Sequence, residues 1–222
     1  MVAIPPEDGT NGPDNLTGTS DADTINGKGG DDTINAGLGD DVVFAGQNDD
    51  EVFGGGGNDT LRGDAGNDEV FGGQGDDRVH GNLGDDTLRG DAGNDFVYGG
   101  QGDDNVFGNL GSDRIFGGAG NDTMFGGQGF DIVDGGSGND TIVINTAHSS
   151  ADWVDGGANF DTLRFNTDDA ELAAILAAEA EEYLAGDTSQ QFAFTGGHLV
   201  ENVERVTIFL NGTLFELETE IV

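Results

Sequence analysis

Fifteen nine-residue units run from Gly9 to Val143 without insertion or deletion, and this unbroken phase constrains the fold more than any other feature. Position six of every unit is Asp; position eight is aliphatic or Met, from Leu16 and Ile25 to Val133 and Ile142. Position one is Gly or Ala, and position four is Gly except at Asp21 and Asn48. One further unit, Gly156–Arg164, returns after a break with Asp161 and Leu163 in the same places. A unit with a single apolar residue cannot bury a core alone, so the units must stack.

Each unit reads as a six-residue turn followed by a three-residue strand. Glycines in the turn permit positive φ and close backbone approach, and strand alternation sends position eight inward and positions seven and nine outward. Two units per turn give an all-β chain of two parallel sheets over a thin core. That core must hold 44 Asp and Glu against 7 Lys and Arg, a formal net charge of −37. Such self-repulsion swells a compact state unless cations cancel it. Nucleic acid is excluded as a partner because it needs a basic face. No apolar run approaches the ~18 residues that cross a bilayer, so membrane insertion is not expected. The absence of Cys removes disulfides and thiolate metal sites.

The pattern GGxGxDxUx, as in Gly72-Gly73-Gln74-Gly75-Asp76-Asp77-Arg78-Val79-His80, resembles the calcium-binding nonapeptide of the RTX (repeats-in-toxin, hemolysin-type) family. The resemblance covers residues 9–143 and, more loosely, 156–164. It implies a right-handed parallel β-roll (β-solenoid) with Ca²⁺ between successive turns on the same side. The implied ligands are the position-six carboxylates Asp14, Asp23, Asp32, Asp41, Asp50, Asp59, Asp68, Asp77, Asp86, Asp95, Asp104, Asp113, Asp122, Asp131, Asp140 and Asp161, together with loop carbonyls. Hard Ca²⁺ suits such an oxygen shell, whereas Zn²⁺ wants His or Cys. If each ion joins unit n to unit n+2, fifteen units offer at most thirteen sites in two rows, and thirteen divalent ions would bring −37 to −11.

Some units depart from the pattern. The first two carry Thr10 and Thr19 at position two, Asp21 and Asn48 replace Gly at position four, and Phe130 stands at position five. Sites at Asp14 and Asp23 are therefore expected to be the weakest. Residues 63–89 and 90–116 match at 19 of 27 positions, a duplication of one and a half turns that exchanges the two faces. Position nine reads Phe53, Phe71, Arg89, Phe107, Phe125, Val143 on one face and Phe44, Arg62, His80, Tyr98, Phe116, Asp134 on the other. The first row is expected to be an aromatic ladder. Its function is either cross-strand rigidity or contact with the tail, a cell-surface glycan or a second copy.

Three segments are expected: residues 1–8 as a leader, 9–143 as the roll, and 144–222 as a C-terminal cap. Within the cap, 144–155 reads as an insertion. Asp168 and Glu171 open a helix ending at Gly186, and Asn211-Gly212 joins strands Arg205–Leu210 and Thr213–Ile221 in a hairpin. The ending Glu218–Val222 is similar to the C-terminal signals read by type I secretion systems. With no N-terminal signal in residues 1–8, secretion to the extracellular space by that route is the expectation. HExxH and GxSxG are both absent, and His80, His148 and His198 read as structural, so no enzyme is expected. The resulting expectation is a secreted calcium-binding module that folds on binding. The alternative is a calcium-dependent polysaccharide-binding module working beside an extracellular enzyme, like the repeat modules of alginate epimerases.

Overall fold

A computed structural model describes residues 8–145, 151–167, 176–177, 179–180, 192–194, 197–210 and 213–215. The chain winds as a parallel β-solenoid of about eight turns, with alternate strands going to an eleven-stranded and a ten-stranded sheet. Register follows the repeat: Val52 lies beside Val70 and Val70 beside Leu88 in one sheet, Val79 beside Val97 and Val97 beside Ile115 in the other. The pairing offset is thus two units, and position eight faces inward throughout. From Ile25 to Ile142 these residues are at most 2% exposed and form one continuous core between the sheets.

Regular strands are twice the expected length. Thr33–Leu38, Val42–Gln47 and their successors as far as Ile132–Ser137 have six residues, spanning positions seven to nine and then one to three of the next unit. Only positions four to six turn. Glycine-rich positions one to three look like loop by composition, yet their backbones pair with the next turn, as Gly46 with Asp64 and Gln47 with Ala65. The first two strands, Asn15–Thr17 and Thr24–Asn26, keep the expected three residues.

The tail extends the roll before closing it. Trp153–Asp155 stacks in parallel on Ile132–Ser137 with Val154 inward, so the segment read as an insertion contains a rung of its own. Thr162–Thr167 follows on Thr141–Asn145. Leu199–Glu201 and Arg205–Leu210 then add one more parallel strand to each sheet. Both sheets end in an antiparallel partner: Phe192–Ala193 on Leu199–Glu201, and Thr213–Phe215 on Arg205–Leu210. That second pairing joins the described parts of the two strands expected of the hairpin; its turn at 211–212 and residues 216–221 lie outside the described residues. Of the expected helix at 168–186, Leu176, Ala177 and Ala180 are buried in the core; the remainder lies outside the described residues, apart from the half-buried Glu179.

Candidate metal centre

Every turn delivers its position-six Asp to the same place, because a three-residue turn of fixed backbone follows a strand of fixed register. Asp14, Asp32, Asp50, Asp68, Asp86, Asp104, Asp122, Asp140 and Asp161 form one row, and Asp23, Asp41, Asp59, Asp77, Asp95, Asp113 and Asp131 the other. From Asp32 onward each of these is at most 3% exposed. A carboxylate so deep must be paired, hold a cation or take up a proton.

Half of each carboxylate is accounted for. Its Oδ1 accepts the backbone N–H of the Asp one turn earlier, as Asp86 accepts from Asp68 and Asp104 from Asp86, both at 2.8 Å. Its Oδ2 is buried with no hydrogen-bond partner at all thirteen positions from Asp32 to Asp140 and at Asp161, fourteen in all. Orphaned buried acceptors are costly and rare. Fourteen in two straight rows mark a place built for positive charge.

Main-chain oxygens complete the surroundings. A Cβ placed on Gly72, at position one, would lie 2.5 Å from Asp77 Oδ2 and 2.5 Å from the carbonyl oxygen of Gly90 on the next turn. A Cβ on Gly111, at position four, would fall on the carbonyl of Gly93. Glycine is required here because neighbouring loops approach backbone to backbone and leave carbonyls lining the gap. No group of three or more His, Asp or Glu side chains converges as a metal cage among the described residues. A cation must therefore take its shell from carbonyls as well as from the Asp rows, which suits Ca²⁺ and not Zn²⁺.

Electrostatics point the same way. Burial pushes the carboxyls of Asp68, Asp77, Asp104, Asp113 and Asp161 up to about 7. It pushes those of Asp41, Asp50, Asp86, Asp95, Asp122, Asp131 and Asp140 up to about 6, and raises Asp32 and Asp59 too. Loss of water is the main cause, and the N–H donated to each carboxylate opposes it. At most of these positions a neighbouring Asp of the same row pushes further upward, as Asp86 and Asp122 do at Asp104.

The family model for the RTX calcium-binding nonapeptide repeat (4 copies) matches residues 8–43, 44–79, 71–106, 80–115 and 107–142. The chain belongs to this family. No curated protein matches it. Membership makes this RTX chain a calcium-binding repeat protein, and the orphaned oxygens fit the ion that the repeat is known for.

The structure adds three members to the rows that the repeat phase conceals. Asp131 donates its N–H to Asp152 Oδ1 at 3.0 Å, across 21 residues where 18 is the rule. A three-residue insertion displaces the unit, but Asp152 and Val154 keep positions six and eight, and that pairing is the signal in the sequence. Asp161 donates to Glu204 Oε2 at 2.8 Å, so Glu204 takes the next place in the first row. In the second row the next place belongs to His198, whose Nδ1 accepts the Asp152 N–H at 3.1 Å and lies 3.2 Å from Asp152 Oδ2. Neither substitution could be found from the nine-residue phase.

Within the same turns, position five makes a second ladder of opposite sense. Asp40 accepts from Asn58, Asn58 from Asp76 and Asp76 from Asn94, each through Oδ1 at 2.7–2.8 Å. Position six reaches back one turn and position five reaches forward. On the outer face Phe53 and Phe71 stack at 5.0 Å, Phe107 and Phe125 at 4.8 Å, and Arg89 lies between the pairs, 5.8 Å from Phe71 and 4.6 Å from Phe107. The aromatic ladder expected of this row is present, with the ring faces turned to one another.

Proposed function

We propose that the chain is an extracellular structural module whose roll folds when Ca²⁺ binds between successive turns. Asp32, Asp41, Asp50, Asp59, Asp68, Asp77, Asp86, Asp95, Asp104, Asp113, Asp122, Asp131, Asp140 and Asp161 are the carboxylate ligands. The observation that carries this is the buried, unpartnered Oδ2 at each of these positions. Bound calcium supplies the charge that the rows lack, and the chain's own part is to hold the carboxylates one turn apart through the Oδ1 ladder. Metal binding of this kind is folding free energy, since the site exists only when the turns stack.

Secretion follows from the same physics. Where calcium is scarce, repulsion along the rows keeps the chain open and threadable; where calcium is abundant, the roll closes. Carboxylates committed to cations do no acid–base work, so the module acts by shape rather than catalysis. The stacked Phe rings serve the sheet itself, because their faces are spent on one another and on Arg89.

The test is far-UV circular dichroism with small-angle scattering during calcium titration, magnesium serving as the control. Cooperative gain of β-signal and compaction in calcium alone is expected. A calcium-free chain already compact at pH 8, or equal folding in magnesium, would sink the proposal.

A further inference from the structure

The two rows do not begin as they continue. In all thirteen units from Gly27 to Val143, position two has positive φ: Lys28 at 78°, Asp64 at 76°, Asn82 at 80°, Asp91 at 73°, Asn109 at 77°, and Gly in the other eight. Position four behaves alike, from Gly30 through Asn48 at 77° to Gly138. Positive φ is strongly disfavoured for β-branched side chains. Thr10 and Thr19 are the β-branched residues at position two, and neither has it. Gly12 and Asp21, their partners at position four, lack it as well.

The changed backbone turns donors onto the oxygen that is orphaned elsewhere. Thr10 places its N–H 2.6 Å and its hydroxyl 2.9 Å from Asp14 Oδ2. Thr19 does the same to Asp23 Oδ2, at 2.5 and 2.9 Å. Each hydroxyl also accepts an N–H from position four, from Gly12 at 3.2 Å and from Asp21 at 3.1 Å, which closes the loop on itself. Lys28, the one lysine of the chain, completes the end by placing Nζ 2.7 Å from the Gly9 carbonyl and 3.5 Å from Asp8.

We propose that these built-in donors replace the cation at the start of both rows. Thr10 and Thr19 make the first two loops an ion-independent N-terminal cap, and the calcium rows begin at Asp32 and Asp41. The inference rests on reading the later Asp residues as calcium ligands, and it lowers the thirteen intervals within the fifteen units to eleven. The two intervals removed lie between the turn of Asp14 and that of Asp32, and between the turn of Asp23 and that of Asp41. Covalently attached hydroxyl, amide and ammonium groups hold the first two loops without drawing on dissolved calcium. Position two is thus the residue that decides whether a loop is a metal loop.

A crystal structure of the full-length protein grown with terbium in place of calcium tests this, because the anomalous signal locates each ion. Peaks are expected between Asp32 and Asp50, between Asp41 and Asp59, and onward, with none in coordinating reach of Asp14 or Asp23 Oδ2. A peak on either oxygen overturns the cap and leaves the calcium reading standing. Empty rows throughout overturn the calcium reading itself. In solution, Thr10→Gly/Thr19→Gly/Asp21→Gly restores the regular loop pattern and should bind two more calcium ions per chain by equilibrium dialysis. An unchanged count in a variant with the parent β-signal overturns the proposal. Thr10→Val/Thr19→Val keeps the β-branch and removes the hydroxyls, and should gain no ions while melting earlier; a gain of ions would again overturn it.

Discussion

Protons should stand in for calcium. Consider the chain stripped of calcium on a chelating resin and taken from pH 8 to pH 5 at constant ionic strength. Burial raises the Asp104 carboxyl from 3.8 to about 7. Keeping that group charged in the folded roll therefore costs about 4 kcal/mol relative to the open chain. Eleven further row carboxylates are raised to about 6 or 7. Costs of a few kcal/mol at each exceed the ~5–15 kcal/mol of net stability that a domain has to lose. The direction follows from the raised values: the folded chain binds more protons than the unfolded one between the two pKa values, so stability is full below about 3.8 and is lost as pH rises through about 6 to 7. Calcium-free protein should thus be open at pH 8 and gain β-signal and compactness towards pH 5. With calcium present the dependence reverses, and the calcium concentration for half-folding should rise as pH falls, because protons take the Oδ2 atoms. Circular dichroism and scattering across pH 5–8 measure both. A calcium-free chain that loses β-signal on acidification would refute the reasoning.

Two substitutions probe separate parts of the loop. Asp86→Asn keeps an Oδ1 for the Asp68 N–H but removes the charge at a buried, unpartnered oxygen, so it should raise the calcium midpoint. Asp86→Ala also loses the ladder bond and should cost a further ~1–3 kcal/mol, read as a lower Tm in saturating calcium. Gly111→Ala puts a methyl on the Gly93 carbonyl at φ 137° and should cost on the order of 3 kcal/mol, whereas Gly12→Ala, with nothing within 4 Å, should stay within about 0.5 kcal/mol in the same melt.

Much of this architecture is legible in the sequence because two positions in nine carry it. Asp at six and an aliphatic residue at eight specify where the carboxylate and the core lie, and strict phase specifies the stacking. Strand length was not legible, since Gly46 and Gln47 pair through their backbones and backbone pairing leaves no mark in composition. The unit around Asp152 and Val154 was hidden for the opposite reason: its core and carboxylate positions survive, but its loop carries no glycine and arrives three residues late. His198 and Glu204 were beyond reach, because only the folded chain shows that an imidazole and a longer acid occupy the places of Asp. The face exchange expected from the duplication is visible in side chains. Asn82 donates to Asp64 in one sheet, and Asn109 to Asp91 in the other.

Because the strands lie across the long axis, every backbone ladder bond points along it. A pull on the two ends therefore loads the turns in series, each carrying the whole force, and the roll opens by peeling at its weakest interval rather than by shear. Calcium ions held between turns, as proposed above, would lie on that same line of force. The tensile strength of the molecule would then be a property of the solution it sits in, set by the calcium concentration around it.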